Sequence, residues 1–457
     1  MNNFQRRRFL KLGAKTMTGA GLALGANPML TLAQSSESGF ADGEDYRALV
    51  CVYLEGGSDG FSLLVPTGDA EYNEYTRSRQ ELSVGRNTLL DLSTLSGDHG
   101  SLGFNQFAEP LYNLYQEQRM AMVANVGNII VPTTKSQYEE KSVPLPAQLF
   151  SHADQEIQWQ QLQGRGRGEN GWGAIAAEHF SNYQERDYLT SVTLDGANYW
   201  QSGSGQRPFA MKESGLLEFA GLDKTNEWEQ PRAEAFSRVM QMQQNHVFSS
   251  AYADVQNRAL RITEELGAVL ESNVSIITEQ PDENSLARQL GMVAQLIAAR
   301  GQLGMRRQIF YVRMKGFDVH DHQNKTQPYL FSELADALSY FQTTLDEIGE
   351  SDNVTTFTAS DFGRSLTGNG DGTDHGWGNH LMVMGGAVTG GDVYGTMPRM
   401  SVDGPDAIQN GRVVPTLAST QYAATLLRWM GLPEDQMNDT LPTLANFAQN
   451  DLGFLRS

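Results

Sequence analysis

The sequence predicts an α/β fold in which a mostly parallel central sheet carries helices on both faces. Three observations lead there. Short apolar runs of strand length alternate with segments of helical periodicity, and several of those strands run into loops rich in Gly, Asp and His. The 457 residues also contain no internal repeat, no low-complexity tract and no clean linker between two halves, so one large domain is expected.

The first strand is expected at residues 48–54, an apolar run that ends in Glu55-Gly56-Gly57-Ser58-Asp59-Gly60. A helix over 110–119 leads into a second buried strand at 120–127, then a helix over 172–183 and a strand at 189–194. Residues 231–302 are rich in Gln, Glu, Ala and Arg with helical periodicity, broken near Pro281, and read as two or three long helices forming an insert or cap. Alternation then resumes with a strand at 308–314, a helix over 327–349 and a strand at 354–359. A strand at 381–384 and a helix over 420–430 complete the series.

Ahead of the first strand, Gln5-Arg6-Arg7-Arg8-Phe9-Leu10-Lys11 precedes a weakly apolar Gly/Ala/Leu stretch and Thr31-Leu32-Ala33. Paired arginines followed by Phe-Leu-Lys match a twin-arginine export signal. The expectation is a leader over 1–33, a linker over 34–47 and a folded domain over 48–457, delivered to the periplasm or exterior. No later segment has the roughly 18 consecutive apolar residues of a membrane span.

Composition narrows the function. Hydrophobic residues at 40% and charged residues at 19% exclude wholesale disorder. The formal net charge is −20; with five basic and no acidic residues in 1–33, the remainder carries 29 basic against 54 acidic side chains. Such a body repels phosphate backbones and anionic lipid, which argues against nucleic-acid or membrane-surface binding. The single Cys51 excludes an intrachain disulfide and a cysteine-based zinc site, and its apolar setting makes it a small core residue.

In open α/β sheets ligands collect at the carboxyl ends of the strands. Asp59 follows the first strand, Gly316-Phe317-Asp318-Val319-His320-Asp321-His322 follows the strand at 308–314, and Ser360-Asp361-Phe362-Gly363-Arg364 follows that at 354–359. Thr373-Asp374-His375-Gly376 stands just before the strand at 381–384, within a segment holding 11 glycines in residues 363–395. Histidine with carboxylate suits a divalent metal, zinc or manganese above all, and glycine lets backbone approach a ligand closely. Each piece also has a local explanation: Asp59 can cap a turn, Asp361 a helix, and His320 and His322 can be solvated loop residues.

Taken together and in order, the leader, Glu55–Gly60, Ser151-His152, Gly316–His320, Ser360–Arg364 and Thr373–Gly376 resemble the exported bacterial family called domain of unknown function 1501. The likeness runs from about residue 48 to 430. That family is grouped with the alkaline-phosphatase-like superfamily of phosphatases, phosphodiesterases, sulfatases and phosphomutases. The resemblance implies one or two divalent ions near the strand ends, with Asp59 as the first-strand ligand, Asp318 and His320 as the central pair, His322 in reserve, Asp361 after the next strand and His375 as the late histidine.

Departures from that pattern are visible. Phe362 stands where the superfamily usually has a histidine, and Asp361 where the family commonly has Glu. No Asp-Ser-Ala phosphatase motif and no Cys/Ser-x-Pro-x-Arg signature occurs, which excludes a formylglycine sulfatase. Ser151 is the nucleophile candidate because it opens a helix-like stretch, where backbone N–H groups favour anions; the Ser151…Asp154 spacing equally suits helix capping. Arg364 is the candidate clamp on the ester oxygens, with Arg165 and Arg167 as looser alternatives. The expected function is an exported metal-dependent hydrolase of small-molecule or saccharide phosphate or sulfate esters. The rival is a non-catalytic binding protein that keeps the fold and uses its glycine-rich face or helical insert on a protein or polysaccharide partner. A dinucleotide oxidoreductase is poorly supported, since no Gly-x-Gly-x-x-Gly follows a strand.

Overall fold

Strand β1 (Arg47–Leu54) is buried along seven of its eight residues, as a central strand covered on both faces must be. It belongs to a nine-stranded sheet with β2 (Met120–Gly127), β3 (Ser191–Thr193), β4 (Phe209–Ala210), β5 (Arg307–Met314), β6 (Val354–Ser360), β7 (Asn379–Met384), β8 (Val393–Gly395) and β9 (Leu417–Ala418). The strand order is β8-β2-β7-β6-β1-β5-β3-β4, with β9 also on β2. Every pairing is parallel except the two made by β7. The computed structural model describes residues 46–456 apart from 183, 185, 204, 206, 217–220, 223–225, 243–246 and 272–274. The expected leader, 1–33, lies outside these residues, as does most of the expected linker.

The period of two in β1 sorts its side chains between two layers. Ala48, Val50, Val52 and Leu54 join a core formed with helices Ser285–Ala298 and Gln323–Glu347, through Leu290, Ile297, Leu334 and Phe341. On the opposite face Tyr53 meets Trp159 and Tyr311 with ring centroids 5.7 and 6.0 Å apart, and Phe357 meets Trp159, Trp172, Trp200 and Tyr422 within 6.5 Å. Those aromatic residues come in part from helices His152–Gln161, Trp172–Ser181 and Ser419–Trp429. The layers are those the alternating pattern predicts.

Two differences from the expected element map have physical causes. Helix Ser285–Ala298 is not part of a peripheral insert: Leu286, Leu290, Val293, Leu296 and Ile297 are buried in the main core. The helices Gln230–Gln241 and Val247–Glu271 are the other two in the segment read as an insert, and Leu266 of the second reaches the same core. Helix Asp69–Arg79 was not anticipated, because only its buried Tyr75, Ser78 and Arg79 face inward and the rest is polar. Among the described residues, no helix is long and apolar enough to cross a membrane.

Register levels the strand ends. Leu54 stands opposite both Met314 and Ser360, so the loops after β1, β5 and β6 leave the sheet side by side. Gly56, at φ +113°, makes this crossing tight: a Cβ there would lie 2.4 Å from the Asp318 backbone N.

A bulge between Asn379 and Leu381 interrupts the β7–β2 ladder, and the Asn125 N–H donates instead to His380 Nδ1 at 3.1 Å. His380 is buried against Phe61, and its Nε2 has no hydrogen-bond partner. Burial pushes the ring's pKa down to about 3, so it is neutral in the fold, whereas in an unfolded chain it titrates near 6.5. Below about pH 6.5 the unfolded chain therefore takes up the extra proton and stability falls with pH. Thermal denaturation is expected to show a loss of about 2 kcal/mol from this group between roughly pH 7.5 and pH 5. His380→Gln, whose amide oxygen can still accept from Asn125, should flatten the acid slope; parallel Tm–pH curves for the two proteins would refute this origin.

Candidate metal centre

The loop after β5, the hairpin between β6 and β7 and one helix start converge on a small cluster. Asp318 comes from the loop after β5, His375 from the end of the hairpin Arg364–Gly368/Thr373–His375, and His152 from the first turn of helix His152–Gln161. Ligand-capable atoms of His152, Asp318 and His375 all lie within 4.8 Å of one another. His320 joins them: its Nε2 is 3.0 Å from Asp318 Oδ1 and 2.9 Å from His375 Nε2.

Each ring is aimed from behind. His375 Nδ1 donates to the Phe150 carbonyl at 2.7 Å, which leaves Nε2 as the bare nitrogen facing Asp318 at 3.4 Å. His152 Nδ1 is bound to Asp361 Oδ2 at 2.6 Å, so its Nε2 points inward, 3.4 Å from Asp318 Oδ2 and without a hydrogen-bond partner. Asp361 is itself held by the Tyr53 hydroxyl at 2.5 Å and the Gly56 N–H at 3.4 Å. Phe362 stacks on His375 at 4.7 Å and touches His152 at 4.8 Å, an apolar wall beside both rings.

Electrostatics prepare the cluster for a cation. Partial burial works to raise the Asp318 carboxyl, but the Arg364 guanidinium, His152 and His320 outweigh it and hold the group below its usual value. His152 is raised, first by its hydrogen bond to Asp361, against the opposing effect of burial. His375 is lowered, by burial and then by the neighbouring positive charges of His152 and Arg364. Two Nε2 atoms committed inward by second partners, one of them buried and orphaned, and a carboxylate kept ionised form a donor set that fits a zinc- or manganese-type ion.

Several residues expected at the site are placed elsewhere. Asp59 does not join the cluster: its carboxylate accepts from Arg79 at 2.5 and 2.9 Å, from Ser62 Oγ at 2.7 Å and from Gln323 Nε2 at 2.7 Å. Burial works to raise it and Arg79 outweighs that, keeping it ionised. With two buried donors on a rigid fork, its cation is a guanidinium. Asp361 is a partner of His152 rather than a ligand-facing carboxylate. His322 adopts φ 51° at the N-cap of helix Gln323–Glu347 and pairs with Asp371 at 2.8 Å; alternation would put it beside His320 only in an extended chain, and here a helix begins.

Arg364 is fully buried and its donors are used. Nη1 serves the Gly56 carbonyl at 3.1 Å and Asp318 Oδ1 at 2.8 Å, Nε serves Thr373 Oγ1 at 3.2 Å, and Nη2 bonds the Thr373 carbonyl. It braces the site and offers no open edge to a substrate. Ser151 is the N-cap of helix His152–Gln161, and its hydroxyl donates to Asp154 Oδ2 at 2.9 Å. His152, which the sequence marks only as part of the Ser151-His152 pair, is central to the cluster. Its signal was that pair; Tyr53, Phe150 and Arg79 carried none, because their roles exist only across the folded sheet.

The fold and this cluster define a mixed α/β protein with a metal-capable centre at its strand ends. Residues 46–437 match the family described as protein of unknown function (DUF1501), and the chain belongs to that family. No curated protein matches it. Solved structures it resembles include Ps i-CgsB, at 12% identity and TM-score 0.37 over 89% of this chain and 77% of that one. The PsFucS1 sulfatase from Pseudoalteromonas sp. aligns at 11% identity and TM-score 0.36 over 90% and 74%. The soluble domain of lipooligosaccharide phosphoethanolamine transferase A from Neisseria meningitidis aligns at 9% identity and TM-score 0.36 over 91% and 95%.

Two variants test the arrangement. Asp361→Asn removes the charge behind His152, so a histidine NMR titration of metal-free protein should show the His152 pKa falling toward about 6.5; an unmoved value would show that Asp361 does not set it. Arg79→Met strands a buried carboxylate and is expected to cost about 3–5 kcal/mol in denaturant unfolding. A change within 1 kcal/mol or so would mean that Asp59 has another partner in solution.

Proposed function

We propose that this protein is an exported metal-dependent hydrolase of phosphate or sulfate esters, with one ion held by His152, Asp318 and His375 and with His320 beside them. The observation that carries this reading is the convergence of two histidine Nε2 atoms and an ionised carboxylate within 4.8 Å, each ring aimed by a second partner. Zinc or manganese best suits the nitrogen-and-carboxylate set. When bound, such an ion polarises an ester oxygen and lowers the pKa of coordinated water. The resemblance of the ordered motifs to the alkaline-phosphatase-like superfamily supports ester hydrolysis, and the paired arginines near the N-terminus support export.

The chain's own groups have defined parts in this reading. Arg364 keeps Asp318 anionic at neutral pH. Asp361 holds the proton of His152 at Nδ1, and the Phe150 carbonyl holds that of His375, so both Nε2 atoms stay available. Phe362 excludes water from one side of the rings. Asp59 and Arg79 neutralise one another, which favours one ion per chain over two.

The rival, a non-catalytic binding protein, draws on Ser151 and Arg364: the Ser151 hydroxyl is engaged by Asp154, and Arg364 is sealed among four acceptors. Elemental analysis of mature protein purified without chelator separates the two. The expected result is close to one transition-metal ion per chain, lost in Asp318→Ala/His375→Ala, together with hydrolysis of aryl phosphate or sulfate esters that drops by at least roughly 1,000-fold in that variant. Stoichiometric metal without turnover on any such ester would favour the binding protein. No bound metal, and none taken up on titration, would overturn the proposal.

A further inference from the structure

We propose that Arg412 is the anion-binding side chain of this centre, presented to a tetrahedral oxyanion such as a phosphate or sulfate monoester. The inference rests on the hydrolase reading and adds to it the residue that recognises the substrate's charge, a part that Arg364 cannot take.

Arg412 is fixed by the backbone on both sides. It opens the strand Arg412–Val413, which pairs with Ala407–Ile408, and the turn between them uses Asn410 at φ 61° and Gly411 at φ 68°. Gly411 is pressed onto the neighbouring hairpin so closely that a Cβ would lie 2.9 Å from Leu366 Cβ. On the other side the Gly378 N–H donates to the Val413 carbonyl at 2.9 Å.

The side chain then reaches both His375 and Phe150, the residue that aims its ring. Its guanidinium carbon lies 4.2 Å over the Phe150 ring, and Nε donates to the His375 carbonyl at 2.8 Å. Phe150 is also the residue whose carbonyl takes the His375 Nδ1 proton. Stacking and the Nε bond orient the guanidinium plane in advance, so little freedom remains to be lost when an anion docks.

What is left is the outer edge of the fork. Arg412 is part-buried, and among the described residues its Nη groups make no hydrogen bond or ion pair. Three other guanidiniums are occupied, Arg364 by Asp318, Arg79 by Asp59 and Arg167 by Asp154, while Arg165, whose Nε donates to the Leu145 carbonyl at 3.3 Å, is solvent-exposed where Arg412 is part-buried. A planar cation with both Nη groups unpaired can offer one N–H from each to two oxygens of a phosphate or sulfate. In a chain of net charge −20, an anionic substrate needs such a local positive site to approach at all.

The test uses inorganic phosphate as the probe on full-length mature protein, with calorimetric phosphate binding and elemental analysis on the same preparations. Arg412→Met keeps the apolar packing on Phe150 without the charge, and Arg412→Lys keeps the charge without the fork. The proposal expects metal content unchanged in both, phosphate affinity reduced roughly ten- to a hundredfold in Arg412→Met, and a partial return in Arg412→Lys. Wild-type phosphate affinity in metal-replete Arg412→Met would overturn it, as would a wild-type protein that holds its metal and binds no phosphate. Loss of metal from Arg412→Met would also overturn it, assigning the residue to the positioning of His375. A metal-free wild type whose phosphate binding still depends on Arg412 would sink the hydrolase reading and leave the anion site standing.

Discussion

A single buried guanidinium, that of Arg364, holds the strand-end region together. Its planar fork joins the loop after β1 at Gly56, the loop after β5 at Asp318 and the hairpin strand at Thr373. A charge without solvent must be fully paired, so the three segments it joins cannot separate without stranding it. The connection continues from Thr373 Oγ1 to Gln323 Oε1 and from Gln323 Nε2 to Asp59, which is paired with Arg79. Two arginines and two aspartates thus alternate through one polar seam across the top of the sheet.

The seam explains why three aspartates at equivalent strand ends behave differently. Asp59 is enclosed by Arg79, Ser62 and Gln323 and serves the structure. Asp361, equally enclosed, spends one oxygen on Tyr53 and the other on His152, and so acts by aiming a ring. Asp318 alone is solvent-facing, at 43% side-chain exposure, and keeps an edge open toward three histidines. Chemistry is possible where the enclosure is incomplete.

Beneath the seam the parallel register does the levelling. Leu54, Met314 and Ser360 lie in one row, and the apolar layers on either side of β1 hold that row rigid. The aromatic face under Tyr53 carries the same rigidity to Asp361, because the Tyr53 hydroxyl reaches it directly. Phe362 supplies a stacking surface for His375 and an apolar contact for His152.

The α/β class, the nearly continuous apolar β1, the helices around 172–181 and 323–347 and the loops that carry Asp318, His320 and His375 were all legible in the sequence, since burial on two faces and the 3.6-residue period leave local marks. The sequence alone thus determined the layers, the strand ends as the place where metal-capable side chains gather, and the residue types available there. It could not determine which of those side chains meet. Asp59, Asp361 and Asp318 look alike along the chain, and their roles were decided by Arg79, Tyr53 and Arg364, which arrive from distant segments. His322 is excluded by one left-handed backbone turn, and His152 and Arg412 are brought in by packing on Phe362 and Phe150. The physical reason is that periodicity and turn chemistry are local, whereas pairing a buried charge, orienting an imidazole and stacking a guanidinium depend on distances across the folded sheet.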